Sequence, residues 1–69
     1  MFKPGQKVAH QVVTRPDMLA LGVVEPDGLS VRWTAFIDGE GCVTRLRSRM
    51  AVPLNGDEQP CPEEFEDLF

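Results

Sequence analysis

The sequence predicts an all-β fold, a small five-stranded antiparallel barrel followed by an acidic tail. Three observations carry this. Apolar side chains recur with a two-residue period through the first part of the chain, turn residues interrupt them at short intervals, and no segment has the length and period of a core helix. With 69 residues the chain can build one compact unit with a small core and no second domain.

The first predicted strand, Lys7 to Thr14, follows Pro4-Gly5 and stops before Pro16, which cannot donate to a sheet ladder. The second, Met18 to Glu25, is nearly continuous in apolar residues and is expected to pack on both faces. Pro26-Asp27-Gly28 then turns the chain. The third, Leu29 to Asp38, alternates most clearly. Leu29, Val31, Trp33, Ala35 and Ile37 point one way and Ser30, Arg32, Thr34 and Asp38 the other, with Phe36 as the exception. A two-residue hairpin loop, Gly39-Glu40, pairs Asp38 with Gly41. That register sets Ile37 opposite Cys42, Ala35 opposite Thr44 and Trp33 opposite Leu46 inside, and Phe36 opposite Val43, Thr34 opposite Arg45 and Arg32 opposite Arg47 outside. A short fifth strand, Met50 to Leu54, contains Pro53 and belongs at an edge. Five short strands joined by tight connections are enough to close a small barrel, with Trp33 in its core.

Charge divides the chain. Seven basic residues against five acidic ones before residue 50 leave +2, and six acids with no Lys or Arg after it leave −6, giving the net −4. The expected organisation is a barrel over residues 1–54 and an acidic tail over 55–69. Asp57 to Pro62 has nothing to bury and is expected to be disordered or extended. Pro62 to Phe69 can form two helical turns on a partner, with Phe65, Leu68 and Phe69 on one face. If that face docks on a partner, Leu68→Ala and Phe69→Ala are expected to leave stability nearly unchanged.

Several spaced motifs are shared with a known group of proteins. Phe2-Lys3-Pro4-Gly5-Gln6-Lys7-Val8, Arg15-Pro16-Asp17-Met18, Gly22-Val23, Val31-Arg32-Trp33 and Met50-Ala51-Val52-Pro53 together resemble the small uncharacterised YodC-like proteins of bacteria and phages. The resemblance covers residues 2 to 53 and implies a Src-homology-3-like (SH3-like) barrel of bacterial or phage origin. It implies no activity, catalytic residue or cofactor. Arg15 stands where the pattern has a glycine, and the acidic tail lies outside it.

The inventory for catalysis is poor. His10 is the only histidine and shares a strand face with Val8 and Val12. Ser30 and Ser48 sit on strands without a nucleophile elbow, and Gly39 and Gly41 serve the hairpin. Cys42 and Cys61 match no metal or redox spacing. The expectation is therefore no enzyme, no metal and no cofactor. The longest apolar run, Met18 to Val24, is too short to span a bilayer and the first residues lack a secretory signal, so a cytoplasmic protein with no membrane contact is expected.

Binding is the better-supported chemistry. Arg45, Arg47 and Arg49 alternate along one strand and Arg32 joins them across the hairpin, forming a basic face that calls for an anion, with Phe36 beside it as a stacking surface. The anion can be an acidic protein surface, nucleic acid, or the protein's own tail; a charged face that is simply solvated and guards an edge is the plain alternative. Phe65, Leu68 and Phe69 form a second candidate contact, docking on this barrel or on another protein. The ending Asp67-Leu68-Phe69 resembles the last part of sliding-clamp-binding peptides, although Phe65 replaces their glutamine, and it is similar to the acidic, phenylalanine-ended tip of single-strand-binding protein. The sequence thus points to a non-catalytic protein–protein interaction module, in a specialised form a phage-encoded modulator of a host protein. It would act as a monomer or as a weak homodimer through sheet edges. A nucleic-acid-binding barrel is the alternative.

Overall fold

The computed structural model describes residues 2–47 and 50–68. Among these residues six strands form one antiparallel sheet: β1 (Lys7–Val12), β2 (Arg15–Val24), β3 (Ser30–Ile37), β4 (Val43–Arg45), β5 (Val52–Pro53) and β6 (Gln59–Pro60), followed by a 3₁₀ helix, Glu63–Leu68. The order is β4-β3-β2-β1-β6, and β5 pairs with the start of β3 on the edge whose far end carries β4. The all-β class is as the sequence predicts. The sheet is open, however, and the sixth strand comes from the stretch expected to be disordered or extended.

One irregularity governs the packing. Leu21 pairs with Ala35 and Gly22 with Trp33, so Thr34 is an extra residue in β3 and forms a β-bulge. A bulge shifts the two-residue period by one and sends the side chains beyond it to the opposite face. The five residues Leu29, Val31, Trp33, Ala35 and Ile37, expected on one face, are therefore split. Val31 packs with Val8 and Val24 on one face, with Trp33, Phe2 and Leu54 against them. Ala35 and Ile37 pack with Ala9 and Leu21 on the other, joined by Leu19, Val43, Cys61, Phe65 and Leu68. Leu29 is exposed. The lone exception in the alternation, Phe36, lies past the bulge and shares the face of Trp33.

Gly22 makes the bulge possible. A Cβ at this position would lie 2.7 Å from Trp33 Cε3 and 2.8 Å from the Arg32 carbonyl oxygen, so only glycine lets the indole lie across β2. Trp33 is consequently half-buried on the sheet face, its ring edge-on to His10 at 6.1 Å between centroids, rather than enclosed opposite Leu46. The Leu46 amide donates instead to the Thr34 carbonyl.

The β3–β4 register differs from the expected one by a single residue: Ile37 pairs with Val43, Phe36 with Thr44 and Ala35 with Arg45. The cause is the loop. Gly39-Glu40-Gly41 is a three-residue connection with Gly41 at φ 88°, closed by the Asp38 amide donating to the Cys42 carbonyl. The Asp38 carboxylate accepts from the Glu40 and Cys42 amides at 2.9 Å each, which fixes this loop over the two-residue one. Arg45 thus falls on the face of Ala35 without burial, because short β4 is the sheet's edge. Pro16 lies within β2, but the ladder passes from Gln11–Leu19 to Val12–Arg15 and skips it, so no amide is missed.

The tail folds back. Gln59 and Pro60 pair with Ala9 and Val8, and the Cys61 amide donates to the Lys7 carbonyl. The 3₁₀ helix starts after Pro62 and lays Phe65 and Leu68 over the Ala9–Leu21–Ala35–Ile37 face. Helical turns were expected there; their seat is the protein's own sheet. No helix among the described residues is long and apolar enough to cross a membrane.

Two outcomes follow from these contacts. Gly22→Ala should destabilise the protein by about 1 to 3 kcal/mol, since the new methyl meets backbone and ring at once. Urea unfolding followed by Trp33 fluorescence checks it. At the β2–β3 turn, Asp27 accepts from the Leu29 amide, the Ser30 hydroxyl and the Ser30 amide, and these bonds hold its carboxyl below its ordinary value of 3.8. The stability this group contributes is intact above that value and is lost as pH falls through the lowered folded one. The acid limb of a thermal-stability profile should therefore be shallower in Asp27→Asn.

Candidate docking groove

The face opposite the 3₁₀ helix carries a groove of about 440 Å³. Its floor is a cross-strand row, His10 on β1, Ala20 on β2 and Phe36 on β3, in which small Ala20 separates two large rings. Trp33 and Leu46 close one side, Val52 and Pro53 of β5 another, and Val12 and Val13 the rim. In a regular strand residues three apart face opposite ways; the Thr34 bulge is what brings Trp33 and Phe36 to the same side. Val13 stands 86% exposed at the edge of the depression.

Asn55 and Glu58 complete the lining. The Asn55–Glu58 turn is tied by the Glu58 carboxylate, which accepts from the Asn55 amide at 3.1 Å and the Gly56 amide at 3.0 Å, while Asn55 Oδ1 accepts from the Asp57 amide. Gly56 sits at φ 93°, where other residues would be strained. Glu58 is the one buried charged residue among those described, 8% exposed, and it makes no ion pair with any of them. A second cleft adjoins the groove around His10 and Val13 and brings Asp57 and Gln59 to the same edge. There β1 is bare, because β6 pairs only as far as Ala9.

The residues expected to form one contact face do not gather. Arg32 is held by Glu25, Nε to Oε1 at 2.7 Å. Arg45 donates to the main-chain carbonyl of Leu68, and Lys7 Nζ donates to that of Glu66, so both cations help seat the tail. Arg47 is exposed, and Arg49 and Phe69 lie outside the described residues. Phe65 and Leu68 are half-buried against the sheet. Of the described members of the expected set, only Phe36 enters the groove. His10, Trp33, Leu46 and Glu58 are its unforeseen members, and the signal that could have found them is the break in alternation at Phe36.

No three His, Cys, Asp or Glu side chains among the described residues converge as metal ligands. His10 meets Trp33 edge-on, a packing contact that orients no nucleophile. Comparison with protein-family models, with curated proteins and with solved structures finds no match, so the groove is interpreted from its geometry and chemistry alone.

The seated tail can be tested through two thiols. Cys42 is exposed, whereas Cys61 is partly covered, and its thiol is pushed up by burial and by the Glu66 carboxylate, against a smaller opposing pull from Lys7. Cys42 should react quickly with a disulfide reagent and Cys61 slowly, while Phe65→Ala should accelerate Cys61 and leave Cys42 unchanged. The same substitution should cost about 1 to 3 kcal/mol, in contrast to the neutral tail expected if that face docks on a partner. Equal rates for both thiols in the wild type would mean that the tail is not seated.

Proposed function

We propose that the protein is a non-catalytic protein–protein interaction module that works by occupancy, its contact surface being the groove between Trp33, Phe36, Leu46 and Val52. One observation carries this reading. The sheet has two apolar faces; the chain covers one with its own 3₁₀ helix, and on the other Phe2 and Leu54 cover Val8, Val24 and Val31 while the part between Trp33, Phe36, Leu46 and Val52 stays open. The occupant is an extended segment of a partner protein. A depression of about 440 Å³ has room for a few side chains of such a segment, and the bare edge of β1 beyond Ala9 offers backbone groups beside it.

The arginines favour protein over nucleic acid as the partner. Arg32 is neutralised by Glu25 and Arg45 donates to the tail, which withdraws two of the four arginines of the expected basic face from phosphate. Kinship with YodC-like proteins and their SH3-like barrels belongs to the same reading, supported by the spaced motifs between Phe2 and Pro53.

A photo-crosslinking side chain at Val52, on the rim, tests the groove in cells. It should trap a protein in a product that Leu46→Lys abolishes and Arg47→Ala leaves intact. Products with nucleic acid alone, a dimer of this chain alone, or no product that depends on Leu46 would overturn the reading.

A further inference from the structure

We infer that the groove is selective for a cationic side chain, arginine above lysine, flanked by apolar residues in the bound segment, with Glu58 as its ionic partner. The inference rests on the groove being a docking surface and specifies what it docks. Its starting point is an anomaly of burial. Removing a carboxylate from water is costly unless a positive charge or a full set of donors replaces the solvent. Glu58 is 8% exposed and, among the described residues, is met by two backbone amides, those of Asn55 and Gly56. No lysine, arginine or histidine among the described residues forms an ion pair with it. The chain thus places a buried negative charge on the wall of its open apolar groove, and no cation among the described residues pairs with it.

The surroundings match that charge. Trp33 and Phe36 present aromatic rings in the same groove, and a guanidinium is drawn to such faces while its aliphatic stem is drawn to apolar walls such as Leu46. Arginine is favoured because its planar fork can meet a carboxylate and stack on a ring at once, and because it gives up its hydration more readily than an ammonium. The adjoining cleft contributes Asp57, and no lysine or arginine among the described residues lines either depression. The net charge of −4 attracts a basic segment from a distance. The turn-closing role of Glu58 does not account for the arrangement by itself, since a neutral acceptor would bond the same two amides without a buried charge.

The test uses the full chain and its sole tryptophan as reporter. Three capped tripeptides serve as probes: Leu-Arg-Leu, the same peptide with citrulline in place of arginine, and Leu-Leu-Leu. The arginine peptide should shift Trp33 fluorescence saturably and bind about tenfold or more tightly than the citrulline peptide, a difference of about 1.4 kcal/mol. Glu58→Gln keeps an oxygen acceptor for the Asn55 and Gly56 amides, and should remove that preference while leaving citrulline binding and the unfolding midpoint nearly unchanged. If all three peptides bind alike, the groove is a docking surface without charge selection and the inference fails alone. If none perturbs Trp33 at millimolar concentration, the groove and the inference fail together.

Discussion

A single sheet with apolar side chains on both faces has to be covered twice, and a chain of this size has little with which to do it. Strands β1 and β2 make that demand with neighbouring pairs, Val8 with Ala9 and Ala20 with Leu21, buried on opposite faces, and the Thr34 bulge extends it to β3. With it, Val31 and Trp33 lie on one side and Ala35 and Ile37 on the other. The first group is met by Phe2 and Leu54, which arrive from the two segments flanking the main strands. The second is met by the C-terminal helix. The remaining features, including the short β5, the return of β6 to β1 and the exposed depression over Ala20, are consequences of dividing a small apolar supply between two surfaces.

The electrostatic arrangement follows the same division. The basic body and acidic tail suggest attraction between opposite charges, yet Lys7 and Arg45 donate to main-chain carbonyls of the tail, at Glu66 and Leu68. Carbonyls at the end of a 3₁₀ helix lack intrahelical donors, and two cations supply them. The acidic side chains of the 3₁₀ helix remain exposed, so the charge asymmetry helps to align the tail while apolar contact by Phe65 and Leu68 holds it.

Much of the fold was legible in the sequence, and the rest was hidden for identifiable reasons. Alternation and turn residues located β1, β2, β3 and the edge position of Pro53, because these are local signals that the sheet obeys. The β3–β4 register was missed by one residue because Gly39-Glu40 and Gly39-Glu40-Gly41 both read as hairpin loops, and only the Asp38 carboxylate bonding to the Glu40 and Cys42 amides selects the longer one. The bulge was missed because its cause is tertiary, in the approach of Trp33 across Gly22. Phe36, the residue that would not fit the pattern, was its trace in the sequence. The seat of the tail was illegible because Phe65 and Leu68 carry the same pattern whether they meet this sheet or another. Glu58, central to the groove, sits in a stretch whose composition reads as solvent-loving.

The return of the chain to its first strand also bears on how the protein folds. Lys7 and Glu66, joined side chain to backbone, are 59 residues apart, so the β1–β2–β3 meander, built from hairpin contacts close in sequence, can assemble before the segment that shields it docks. Throughout that interval the edge of β1 is open and the apolar patch of Ala9, Leu21, Ala35 and Ile37 is bare, which is the combination that invites pairing between partly folded chains. Late closure also raises the mean sequence separation of native contacts and slows the final step of folding. The segment with the least hydrophobic composition therefore has a second part in the life of the protein, as the seal that ends its period of vulnerability during folding.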